Sequence, residues 1–373
     1  MNILTIGGVT QDAFLLCENT DFMTTTKNNI MSNYMLFEAG EKKEIAAINY
    51  EAGGGATNAA VSFARLGFST ACFCSVGNDY AGKTILTKLM QEGINTSFIH
   101  TDKSTVTGQS FIINSKHGES TIFAYRGANC NLPAEKIPTD YLASCKHLYI
   151  TSLSHQSSSI LTKITSLAKK HNVPVAVNPG ISQLTNGTIS LKESLKNIDI
   201  FILNSTEAQT FMFALMKNDE ERRTLLTQDT HDVPCGINQP SSQAYLLHNP
   251  LAYAEHLFSV KQFFKDILKM GPRIVVVTNG CNGVYIASHN TVTFCPSMDI
   301  TVTNTVGAGD AFGSCFVASL LLGNSIDDAL QNGIINSASV LKSSNAKNGL
   351  LTKAQLEQQQ TMVNKALIQH YAL

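Results

Sequence analysis

Asn304-Thr305-Val306-Gly307-Ala308-Gly309-Asp310-Ala311-Phe312 sets two glycines and an alanine directly before an acid, and that acid opens an apolar helix carrying Phe316, Val317, Leu320 and Leu321. Residues without bulk let a backbone approach an anion closely. The first turn of a helix adds unpaired N–H groups and a partial positive charge. Asp is also a preferred N-cap, and a capping role alone would explain its place at the helix start. A cap does not need Gly-Ala-Gly in front of it, so the run reads as an anion cradle with a carboxylate at its rim.

Three further segments share this character. Ala52-Gly53-Gly54-Gly55-Ala56-Thr57-Asn58 precedes an apolar helical stretch that closes at Gly67, and puts an amide in the first turn. Alone, such a glycine run reads as a flexible turn. Asn204-Ser205-Thr206-Glu207 follows an apolar strand and places Asn204 and Glu207 on one face of a first helical turn. Ser205 or Thr206 capping that helix is the bland alternative. Finally, Val275-Val276-Val277-Thr278-Asn279-Gly280-Cys281-Asn282-Gly283 is a buried strand ending in a hydroxyl and two spaced glycines.

Between these segments the chain alternates strand and helix, the rhythm of a parallel sheet. Strands are expected at 2–6, 70–76, 147–151, 173–178, 198–204 and 273–278, and helices at 56–66, 156–171, 206–217, 308–322 and 326–343. Residues 13–50 and 104–126, the latter with a hairpin over 110–114 and 120–125, read as a small separate sheet. Residues 218–262 exceed one crossover and read as an insertion, with a charged helical face at Asn218–Arg223 and loop near 228–241. The whole of 1–373 is read as one α/β domain bearing these additions.

Composition narrows the partners. The net charge is -1 with 43% hydrophobic residues and no dense Lys/Arg block, which argues against nucleic acid or an anionic membrane. The 9 cysteines form no CxxC pair and the 10 histidines no HxxxH pair, so buried thiols and ordinary histidines are expected, not zinc. With no basic leader and no apolar run of membrane-spanning length, a cytoplasmic location is expected.

In order and character the four segments resemble the PfkB or ribokinase-like family of carbohydrate kinases, over essentially the whole chain apart from 218–262. The resemblance implies a three-layer α/β/α fold with a mainly parallel central sheet and a β-sheet lid, and ATP-dependent phosphorylation of a sugar hydroxyl with Mg2+. It implies Asp310 as catalytic base and Gly307, Ala308 and Gly309 as the anion hole. Asn204, Thr278, Gly280, Gly283 and Gly309 would contact ATP, and Glu207 would hold Mg2+ through water. Asp12, Gly54, Gly55 and Asn58 would hold acceptor hydroxyls, with Arg126 a further candidate. Lids of this family pair, so a homodimer is expected. Asn304 stands where the family has an acid and Asn345 where it has glycine, and both departures weaken the expectation of potassium activation.

A nucleoside (adenosine-type) kinase is the alternative within enzymes. Phe14, Phe37, Phe111, Phe123 and Tyr125 are the aromatic faces that could receive a base. A non-catalytic sugar or nucleotide sensor on the same scaffold is the alternative outside enzymes, and a retained Asp310 with Gly307 and Gly309 argues against it. No Lys/Arg pair accompanies Asp12 and Asn58 in sequence, so an already phosphorylated sugar is not the expected acceptor.

Overall fold

Short runs dominated by apolar residues form strands whose central members are buried on both faces. In the computed structural model, which describes residues 1–17, 20–27, 30–115, 120–217, 244–253, 256–360 and 365–373, they build a nine-stranded sheet. Its order is Ser69–Phe73, Asn2–Ile6, His147–Ile150, Val175–Val177, Ile200–Asn204, Ile274–Thr278, Val284–Ser288, Thr291–Cys295 and Gln369–Ala372. The strands from Ser69–Phe73 to Ile274–Thr278 run parallel, and the last three continue the sheet antiparallel.

Strand alternation divides the core in two. Leu4, Leu148, Val175, Val177, Phe201, Leu203, Val275 and Val277 face the helices Leu161–Lys170, Ser205–Lys217 and Val260–Met270. Ile3, Tyr149, Ala176, Ile202 and Val276 face Gly55–Arg65, Ala308–Leu321 and Ile326–Leu341. The sheet is thus the middle of three layers.

Several expectations need adjustment. The strand expected over 70–76 is two: Ser69–Phe73 stays in the main sheet, while Ser75–Gly77 leaves it to pair with His100–Asp102. The helix expected from 156 opens as a 3-10 turn, His155–Ile160, before the α-helix begins at Leu161. The Tyr80–Gln91 helix, capped by Asp79 accepting from the Gly82 amide at 2.8 Å, adds to the expected elements.

A second, four-stranded sheet joins Ser120–Tyr125, Gly108–Ser115, Thr10–Cys17 and Ala47–Gly53 in that order. Asp21–Lys27 and Ile30–Leu36 form a hairpin of their own. Of the stretch 218–262, residues 218–243 and 254–255, including the expected charged face and loop, lie outside the described residues. Its remainder holds a Tyr245–His248 turn of helix, a Leu251–Tyr253/His256–Phe258 hairpin and the start of Val260–Met270. Leu246, Leu247, Phe258 and Val260 are buried in the core, so this part packs on the main layer. Among the described residues no helix is long and apolar enough to cross a membrane.

Candidate active site

Two glycine-headed helices, Gly55–Arg65 and Ala308–Leu321, lie side by side in matched register. Buried Ser314 Oγ donates to Ser62 Oγ at 2.7 Å. One turn nearer the amino ends, four residues back on each helix, Asn58 Nδ2 donates to Asp310 Oδ2 at 2.8 Å. The spacing of 252 residues is the same for both pairs. Packing that joins the serines therefore also joins the amide to the acid. The glycines leave room for the carboxylates: a methyl on Gly55 would stand 3.1 Å from Asp310 Oδ1, and one on Gly53 1.9 Å from Asp12 Oδ2.

Asp12 reaches this point from the second sheet, buried, with Thr10 Oγ1 donating to its Oδ1 at 2.7 Å. Burial raises the pKa of both Asp310 and Asp12, and hydrogen bonds and the Lys347 charge oppose that rise. Lys347 is the surprise. Its ammonium donates to Asn58 Oδ1 at 2.6 Å, to Thr57 Oγ1 at 3.2 Å and to the Ala52 carbonyl. One cation, though not a Lys/Arg pair, does accompany Asp12 and Asn58, because a residue 289 positions further along folds back onto them.

On the other side of Asp310 a cavity of about 180 Å³ is lined by Asn178, Asn204, Glu207, Thr278, Gly307, Gly309 and Asp310. Asn204 and Glu207 form a reciprocal cap there. The Glu207 amide donates to Asn204 Oδ1, and the Asn204 amide to Glu207 Oε2, each at 2.8 Å. Asn204 itself caps this helix, so the alternative of a Ser205 or Thr206 cap does not hold; Ser205 Oγ donates to Asn279 Oδ1 at 2.9 Å and ties the two strand ends together. Burial raises the Glu207 pKa, and the charge of Asp310 adds to the rise.

A larger cavity of about 500 Å³ adjoins, sharing Asn204, Thr278 and Gly309 and lined further by Gly280, Val284, Val302, Ala308, Ile334 and Leu341. Its polar end meets the glycine-headed helix and its body is apolar, as a flat heterocycle requires. Gly283 is not among its lining residues. Its φ of +91° and the Cys295 carbonyl 2.4 Å from any added Cβ account for glycine there as a tight turn.

Arg126 follows the Ser120–Tyr125 strand and lines neither cavity. In the turn after it, buried Asn129 accepts from the Val9 amide at 2.9 Å and donates to the Val9 carbonyl at 2.7 Å, fixing the loop behind Gly54. Asn304 Oδ1 accepts from the Val306 amide at 3.1 Å, and its Nδ2 donates to the Ser344 carbonyl at 3.4 Å. Asn345 Oδ1 accepts from the amides of Lys347 at 3.0 Å and Asn348 at 2.8 Å. Both asparagines that depart from the family pattern thus bind the backbone of the two loops beside the anion cradle.

The sequence profile of the pfkB family of carbohydrate kinases matches residues 24–232 and 252–353. The ribokinase of Haemophilus influenzae is 26% identical over 301 residues, covering 81% of this chain and 84% of its own length. The 2-dehydro-3-deoxygluconokinase of Bacillus subtilis is 25% identical over 333 residues, covering 87% and 91%. Among solved structures, Arabidopsis thaliana ribokinase complexed with ribose and ATP superposes with a TM-score of 0.70 at 18% identity, over 96% of this chain and 98% of that one. The ribokinase-like fold expected from the glycine segments is borne out. With the family profile covering most of its length, the chain belongs to the pfkB family of carbohydrate kinases.

Proposed function

We propose that the chain transfers the γ-phosphoryl group of ATP to a hydroxyl of a non-phosphorylated sugar, and that Asp310 takes the acceptor proton. The observation that carries this reading is the joint between the two helices. The Asp310 carboxylate, held by Asn58 at 2.8 Å, has Asp12 on one side and, on the other, the small cavity of about 180 Å³ that adjoins a nucleotide-sized one. Asp12 and Asn58 are suited to bridging neighbouring hydroxyls. The amides at Gly307, Ala308 and Gly309 are suited to receiving charge on the transferring group. The Lys347 ammonium does not reverse the expectation against a phosphorylated acceptor, since its three hydrogens already have protein acceptors.

Glu207 and Asn204, in the same cavity as Asp310 and Gly309, fit the place of a hydrated Mg2+. When bound, that ion supplies positive charge to the phosphate oxygens. The aromatic residues bear on sugar against nucleoside. Strand register puts Phe111 and Phe123 opposite Ala13, on the face of the second sheet away from Asp12, and Tyr125 shares that face. Three of the five rings considered for stacking a base therefore point away from the acceptor side. Phe14 does lie on the Asp12 face and is buried. This arrangement favours the sugar.

The second sheet is read as the acceptor lid, and its outer face as the homodimer contact. Tyr50, Phe123 and Tyr125 are 54%, 55% and 52% exposed there, beside Ile48 and Phe111. A contiguous apolar face of this kind is characteristic of an interface. Light scattering should give a dimer for the wild type, and Phe123→Asp should shift it to monomer; a monomeric wild type removes the dimer reading.

The direct test is ADP release with Mg-ATP across pentoses, hexoses, keto-deoxy sugar acids, sugar phosphates and nucleosides. A simple sugar or sugar acid should give the highest kcat/KM, at least ~10-fold above any nucleoside. A nucleoside as best acceptor would replace this reading with the adenosine-type one.

A further inference from the structure

An amide side chain can face a carboxylate with its NH2 or, turned over, with its oxygen, and only the first is attractive. In this site the choice at Asn58 is made from the other side. Lys347 Nζ donates to Asn58 Oδ1 at 2.6 Å, which leaves Nδ2 facing Asp310 Oδ2 at 2.8 Å. The remaining hydrogens of the ammonium go to Thr57 Oγ1 at 3.2 Å and to the Ala52 carbonyl, so the protein itself uses all three donors.

The backbone beneath Lys347 is held just as firmly. Arg65 Nη1 donates to the carbonyls of Lys347 at 2.8 Å and Leu350 at 2.9 Å, while its Nε and Nη2 bind Glu92. Asn345 takes the Lys347 amide.

We propose that Lys347 is a positioning residue for phosphoryl transfer: it sets the Asn58 amide toward Asp310 and places a positive charge beside the Asp310 and Asp12 carboxylates.

The inference rests on reading Asp310 as the base. Its electrostatics have named partners. Burial pushes the Lys347 pKa down to about 8, while Asp12 from the second sheet, Asp310 from the 308–321 helix, Glu51 and Cys72 favour the charged ammonium. Glu51 is shared with Lys88, at 2.8 Å. The guanidinium of Arg65 meets only the carbonyl of Lys347 and is balanced by Glu92 at 2.6 Å. Above that pH the Lys347 charge is lost, and one of the three hydrogens with it. Asp310 and Asp12 then lie side by side without their cation.

The test is the pH dependence of kcat/KM and kcat between pH 5 and 10, with the best acceptor, for wild type, Lys347→Met, Lys347→Arg and Asp310→Asn. Wild type should show an alkaline limb with an apparent pKa of about 8. Lys347→Met should lose that limb, move the acidic limb up by about one pH unit, and lower kcat at least ~10-fold with ATP KM unchanged. Lys347→Arg should restore the acidic limb and stay flat in the alkaline range, because a guanidinium does not deprotonate there.

A purely structural role would lower activity equally at every pH. A wild-type profile flat to pH 10, or a Lys347→Met profile matching wild type, overturns the inference. The wild-type limb and the Lys347→Arg profile decide the matter even if Lys347→Met fails to fold. An active Asp310→Asn would instead remove the base reading itself.

Discussion

Asp310→Asn is expected to lower kcat by ~10²–10⁴-fold at saturating ATP and acceptor, the range that loss of a general base produces. The substitution is close to isosteric, and an amide oxygen at this place can still accept from Asn58 Nδ2, so the contact at 2.8 Å is retained. What disappears is the ability to take a proton. Stability should move the other way. Burial raises the Asp310 pKa above its ordinary value, so over the window between the unfolded and folded values the native state binds more protons. Stability then falls as pH rises through that window. At neutral pH the carboxylate opposes folding, and Asn removes that opposition. The variant should therefore melt at or above the wild-type temperature while ADP release collapses. Activity within about threefold of wild type would show that another group takes the proton.

The parts of this site that were legible in the sequence are the parts made by neighbours in the chain. Gly307-Ala308-Gly309-Asp310 is a helix start with small residues before it, and its physics is complete within a few positions. The same holds for Gly53–Asn58. What the sequence did not disclose is how these pieces meet. The Asn58–Asp310 bond depends on two helices packing in register through Ser62 and Ser314, across 252 residues. Nothing local marks those serines. Lys347 was less legible still: it lies two positions after Asn345, with no local pattern to mark it, and only the fold lays it against Asn58.

The fold followed the same division. Parallel strands buried on both faces stand out as apolar runs, and six of them were placed in the sheet to within a few residues. The antiparallel extension was missed because Val284–Ser288 and Thr291–Cys295 interrupt the strand-helix alternation on which the reading relied. Their connection, with His289 at φ 53°, is a tight hairpin that carries no glycine to announce it. Side-chain direction in the second sheet was likewise hidden: Phe111 and Phe123 counted as candidate stacking faces until cross-strand register with Ala13 turned them outward.

The anion cradle offers a prediction in which two neighbouring glycines part company. Gly307 has a φ of +84°, a left-handed conformation that costs an L-residue roughly 1–2 kcal/mol. A methyl there would lie 2.4 Å from the Cβ and 2.9 Å from the Cα of Ala346. Ala346 is buried in the turn that Asn345 holds, so relief must come from the start of the 308–321 helix or from the loop carrying Lys347. Either movement displaces a group proposed to serve the transfer, the anion-hole amides in the first case and Lys347 in the second. Gly307→Ala should therefore lower the melting temperature by roughly 2–6 °C and kcat by ~10²–10³-fold, the loss that follows when an anion-hole donor is misplaced. A methyl on Gly309 meets no protein atom within 4 Å. Gly309 nonetheless lines both cavities, and the added methyl would project toward the space assigned to the phosphates. Gly309→Ala should keep the wild-type melting temperature and lose kcat/KM for ATP by ~10-fold or more. If both variants lose stability and activity together, small residues are needed here for packing alone and the anion-hole role fails; if they separate as expected, that role stands.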